Sequence, residues 1–152
     1  MRIILYLLLL SIVFIGCSSS SSSDTSEVKS TIDKFLNFYD KKETKSLTNI
    51  FSEEPQAIVY GIGTEVWKGK ERIIKKMKET AEDVDDSNID VHDQIVKISG
   101  NTAWFSQRGD WSYDYKGQRV DLKGVRITGV LLNDKGQWKI VQWHTSMPVR
   151  QQ

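Results

Sequence analysis

Near residue 88 the spacing of apolar residues changes from a helical repeat to a repeat of two. Before that point Val28, Ile32, Phe35, Leu36 and Tyr39 recur at helical spacing, and Phe38 widens the stripe. After it, Val91, Ile95 and Ile98 mark a strand, and Ser99-Gly100-Asn101 reads as a hairpin turn. Thr102 to Tyr115, Gln118 to Asn133 and Gln137 to Val149 are long strands, separated by Lys116-Gly117 and Asp134-Lys135-Gly136. Helices first and antiparallel strands afterwards predict an α+β domain with helices covering one face of a curved sheet.

The helical half divides further. Asp24 or Thr25 can cap the first helix, with Glu27 in its first turn, and Lys41-Lys42 suits its C-terminus. A second, short helix is expected over 44–51, with Leu47, Ile50 and Phe51 on one side. Ala57 to Tyr60 reads as a short strand and Gly61-Ile62-Gly63 as a turn or bulge. Gly69 opens a third helix from Lys70 to about Val84, with Ile73, Ile74, Met77, Ala81 and Val84 on its apolar side.

Strict alternation assigns faces on the last two strands. If Lys139 points away from the covered face, Val141, Trp143 and Thr145 follow it outward. Trp138, Ile140, Gln142, His144 and Ser146 then point inward. On the preceding strand Asp121 and Lys123 set the outward side, with Val125, Ile127 and Leu131. Val120, Leu122, Arg126, Thr128, Val130 and Leu132 point inward. The outward residues Val125, Ile127, Leu131, Val141 and Trp143 would form an apolar patch suited to association. The inward set would bring Arg126, Thr128 and His144 to a buried or wet cavity.

The N-terminus has a different character. Arg2 precedes an apolar run from Ile3 to Gly16 that is broken only by Ser11. The run falls short of the roughly 20 residues that span a bilayer as a helix and has the form of a signal peptide. Phe14-Ile15-Gly16-Cys17 resembles a bacterial lipobox, whose cysteine is acylated and becomes the mature N-terminus; Phe14 stands where that motif usually has Leu. The expected organisation is a signal peptide over 1–16, a lipidated Cys17 with a serine-rich tether over 17–24, and a domain over 25–150. The implied location is the bacterial cell envelope, membrane-anchored through the lipid and facing periplasm or exterior. Cys17 is the single cysteine, so the domain has no internal disulfide. Without a Cys/His cluster no zinc site of the usual spacing is expected, and no metal or other cofactor is implied. Losing Arg2 leaves 20 of the 21 basic residues against 20 acidic ones, a balance that argues against nucleic-acid binding.

From about 27 to 149 the ordered pattern resembles the NTF2-like superfamily and, within it, SnoaL-like domains. The carrying segments are the first helix with Phe35 and Tyr39, and Gly63-Thr64-Glu65-Val66-Trp67-Lys68-Gly69. Asn101-Thr102-Ala103-Trp104, Val125-Arg126-Ile127-Thr128 and the run from Trp138 to Ser146 complete the set. The resemblance implies an NTF2-like, cystatin-like cone enclosing a pocket, and a homodimer through the outer sheet face. It leaves activity open, because the fold hosts isomerases, cyclases, dehydratases and non-catalytic adaptors. Candidate pocket residues are Tyr39, Tyr60, Trp67, Trp111, Arg126, Thr128 and His144, while core packing and ion pairing are the alternative roles for the same side chains. A catalytic acid or base is not assigned; among the strand carboxylates Asp110 is preferred over Asp114 and Asp121. A tethered module binding a small, partly apolar molecule ranks first and a dimeric interaction protein second. An isomerase, cyclase or hydratase using His144 and Arg126 ranks third.

Overall fold

A computed structural model describes residues 22–148. The expected signal peptide, Cys17 and most of the expected tether therefore lie outside the described residues. Helix α1 spans Ser22–Leu36 and starts two residues before the expected cap. Its buried side is Val28, Ile32, Phe35 and Leu36, the predicted stripe. At Asn37 the backbone N–H keeps the helical bond to the Asp33 carbonyl at 2.9 Å, and the side-chain amide donates to the same carbonyl at 2.8 Å. A further turn, α2 (Phe38–Lys41), ends on Lys42 in the left-handed conformation. Helix α3 is Thr44–Ile50 and α4 is Lys70–Ala81.

The sheet contains β1 (Ile58–Tyr60), β2 (Val66–Lys68), β3 (Val84–Ser99), β4 (Thr102–Tyr115), β5 (Gln118–Asp134) and β6 (Gln137–Ser146). Their spatial order is β2-β1-β6-β5-β4-β3, with β1 parallel to β6 and every other pair antiparallel. Trp67 lies in a short strand, and one expectation changes: Val84 opens β3 rather than closing the third helix. Pairing with Tyr115, together with the Lys116 N–H to Asp83 carbonyl bond at 2.9 Å, captures Val84 for the sheet. The front of β3 escaped detection because register shifts at 85–88 and 91–93 break its alternation.

Bulges also reverse the expected faces. On β6, Leu131 pairs with Ile140 and Val130 with Gln142, so Val141 is the extra residue. Trp138 and Ile140 before the bulge and Trp143 and Thr145 after it are all buried. On β5, Trp111 pairs with Leu122 and Gly109 with Val125, so Lys123 and Gly124 together oppose Asp110 and β5 carries one extra residue. Leu122 packs partly against the core, and Val125, Ile127 and Leu131 are fully inside it. Val125, Ile127, Leu131 and Trp143 are at most 3 % exposed, so they cannot form the expected interface. Val141, half-buried at its bulge, is not part of such a patch either. Ile95 and Trp104 are among the large apolar side chains exposed on the outer face.

The helices cover the inner face. Phe35 of α1 meets Trp143 with ring centroids 4.0 Å apart and Phe51 edge-on at 5.6 Å. Thr31 Oγ1 donates to the Trp138 carbonyl at 3.3 Å and ties α1 to β6. Packing is dense at one end of the sheet and opens into a cavity at the other.

Candidate functional site

The cavity has a volume of about 340 Å³ and lies between α1, α2, α4 and the inner face of the sheet. Eight of its fifteen lining residues are aromatic, so its chemistry is set by rings rather than by charge. Phe35 and Tyr39 come from the helices; Trp111, Tyr113 and Tyr115 come from alternate positions of β4. Trp111 lies 4.8 Å from Tyr113 and 6.0 Å from Tyr39, ring centroid to centroid. Trp111 Nε1 donates to Ser87 Oγ at 3.0 Å, and Trp143 Nε1 donates to Thr145 Oγ1 at 3.0 Å. These two indole N–H groups are thus satisfied inside the protein, whereas the third lining indole, Trp67, has no such bond among the described residues.

Two kinds of polar group remain. Glu65 sits at the rim, with its Oε2 accepting the Gly63 N–H at 2.9 Å. The phenols of Tyr39 and Tyr113 have no hydrogen-bond partner among the described residues. Burial pushes the Tyr39 hydroxyl pKa well above its ordinary value, and the charges of Glu65 and Tyr113 add to the effect. Burial raises Tyr113 too, again with a contribution from Glu65. Both phenols are therefore neutral hydrogen-bond donors around pH 7.

Of the residues singled out in the sequence, Tyr39, Tyr60, Trp67 and Trp111 border this cavity. Tyr60 is at its edge, with its ring standing edge-on to His144 at 5.9 Å. Arg126, Thr128 and His144 do not border it. Thr128 pairs with His144, and Arg126 pairs with Ser146, on the opposite face of the sheet. Arg126 and His144 are exposed, and Arg126 forms no ion pair among the described residues. The same bulges that bury Trp143 turn these three residues outward. Glu65, Tyr113 and Tyr115 also line it without having been pocket candidates, and Trp143, expected on the outer face, lines it too. Tyr113 and Tyr115 had a legible signal, because with Trp111 they place an aromatic at every second position of one strand.

Asp110 has a different role. Its Oδ1 accepts the Gly124 N–H at 3.0 Å and its Oδ2 accepts Lys123 Nζ at 2.9 Å, so it pins the β5 bulge. His92 Nε2 stands 3.5 Å away. The Gly124 N–H, then Lys123, lower its pKa to about 2, which keeps it ionised and poorly suited to act as a base near neutrality. A carboxyl with a lowered folded-state pKa stabilises the fold above its unfolded value near 3.8, and that contribution disappears as pH falls towards about 2. Acid titration of Asp110→Asn is expected to show a shallower loss of stability between these values than the parent protein. Parallel acid-unfolding curves would rule the latch out.

The sequence from 28 to 150 matches the family model described as a SnoaL-like domain. A suspected dehydratase of the NTF2-like family from Streptomyces avermitilis superposes with a TM-score of 0.76 at 15% identity, covering 84% of this chain and 98% of that one. An NTF2-like superfamily protein from Salmonella enterica also gives 0.76 at 18% identity, covering 86% and 95%. A protein with a cystatin-like fold from Caulobacter vibrioides gives 0.66 at 13% identity, covering 82% and 89%. A comparison with curated proteins gives no match. These structural likenesses establish the NTF2-like architecture, and the match over 28–150 places the chain in the SnoaL-like domain family.

Proposed function

We propose that this protein is a lipid-anchored binding module whose cavity takes a small, largely apolar molecule. The observation that supports this is the aromatic lining, contributed by α1, α2, β4 and β6 around about 340 Å³ of space. That volume lies within the range of ligand cavities, roughly 300–1,000 Å³. Neutral phenols and one carboxylate at the rim would orient the molecule. The lipid on Cys17 would supply the membrane location that a charge-balanced domain does not supply itself.

Ligand-induced stabilisation tests the cavity. A compound from a panel of small aromatics, present at about 100 times its dissociation constant, is expected to stabilise the fold by about 2.7 kcal/mol. Thr80→Phe, which intrudes from α4, is expected to abolish the thermal shift. Failure of every compound in the panel would overturn the reading. Metabolic labelling with palmitate tests the anchor: the parent chain takes up label and Cys17→Ser does not. Equal labelling of the two would remove the anchor from the proposal.

A further inference from the structure

We propose that the cavity selects an organic cation, a small molecule carrying an alkylated ammonium group on an apolar body. This rests on the binding reading above and adds the charge of the ligand. Among the lining residues the only formal charge is the Glu65 carboxylate; no lysine, arginine or histidine is among them. Lys116, whose Nζ lies 5.3 Å from the centre of the Tyr115 ring, is paired with Asp83 at 3.3 Å.

The position of Glu65 is built into the backbone. A Cβ on Gly61 would lie 2.7 Å from Glu65 Oε2 and 2.9 Å from Glu65 Cβ, and one on Gly63 would lie 3.1 Å from Oε2. Bare backbone at both positions lets the carboxylate fold back across the turn, where the Gly63 N–H holds it. The charge reaches the cavity, since it contributes to the raised pKa of both Tyr39 and Tyr113.

Aromatic rings attract cations through the negative potential of their faces, and desolvation strengthens the attraction. An alkylated ammonium is weakly hydrated and has no N–H that must be satisfied, so it needs from the lining only ring faces and the one carboxylate, Glu65. An anion would meet Glu65 without any compensating cation. A neutral molecule of the same shape would gain apolar contact alone.

Two probes of equal shape separate charge from burial: (3-hydroxyphenyl)trimethylammonium and 3-tert-butylphenol. Phenylacetate serves as the anionic control. Titration calorimetry on the whole chain is expected to show the ammonium binding at least roughly tenfold more tightly than its neutral analogue, with phenylacetate weakest. In Glu65→Gln the preference for the ammonium is expected to fall to less than about threefold, with the affinity for 3-tert-butylphenol unchanged. Equal binding of the two isosteres, or an unchanged preference in Glu65→Gln, would overturn cation selection and leave the binding reading standing. Binding of none of the three would overturn both.

Discussion

Trp143→Ala is expected to lower the stability of the fold by about 3–5 kcal/mol, the cost typical of deleting a buried Trp or Phe side chain. Trp143 is 1 % exposed and is among the largest fully buried side chains. It touches Phe35 of α1 at 4.0 Å and Phe105 of β4 at 5.0 Å between centroids, so its loss loosens the helix layer and two strands together. It also leaves Thr145 Oγ1 without its indole donor in a buried setting. In a domain of this size the loss corresponds to a fall in Tm of about 10–20 °C. His144, the next residue, points to the other face and is exposed. His144→Ala is expected to stay within about 0.5 kcal/mol of the parent. Urea unfolding followed by far-UV circular dichroism measures both. A His144 variant more damaged than the Trp143 variant would invert the faces of the sheet.

That contrast marks where the sequence was legible and where it was not. The change of period near residue 88 was enough to predict helices on a sheet, because Val28, Ile32, Phe35 and Leu36 form one helical stripe and are buried as one. Turns at 99–101, 116–117 and 134–136 carried glycine or asparagine and were readable directly. The faces were not readable, because alternation predicts them only while no residue is inserted. Val141 on β6 and the two-for-one bulge at Lys123-Gly124 on β5 each add one residue, and each exchanges inside for outside beyond it. Lys139 did mark the outer side, since Trp138 and Ile140 beside it are both buried; the assignment fails only beyond Val141.

The cavity was partly legible for the same reasons. Tyr39, Trp67 and Trp111 border it because each precedes the insertions or lies on another element, so no parity error reached them. Arg126 and His144 lie beyond an insertion and were assigned to the wrong side. Glu65 was visible only as a charge in a glycine-rich turn. Its orientation depends on backbone approaches at Gly61 and Gly63 that a one-dimensional pattern does not encode.

Gly129→Ala is the second substitution expected to have a large effect. Gly129 of β5 pairs with Phe105 on one side and Trp143 on the other, all on the inner face. The two outer strands of such a trio are about 9–10 Å apart, yet the Phe105 and Trp143 rings approach to 5.0 Å between centroids. They do so by leaning over the glycine. An added Cβ would lie 2.4 Å from Phe105 Cε1 and 2.7 Å from the Gln142 carbonyl oxygen. No rotamer of the new residue relieves the backbone contact, and Phe105, 1 % exposed, has little room to retreat. The expected cost is towards the upper end of the about 1–3 kcal/mol typical of overpacking. Adding Phe105→Leu removes the ring from the clash, so the double variant should be less destabilised than the sum of its single changes by more than about 0.5 kcal/mol. Simple additivity would mean that Gly129 is not kept bare by the ring. Because Trp143 also borders the cavity, Gly129→Ala should weaken binding of 3-tert-butylphenol and the ammonium probe in equal proportion, whereas Glu65→Gln affects only the ammonium.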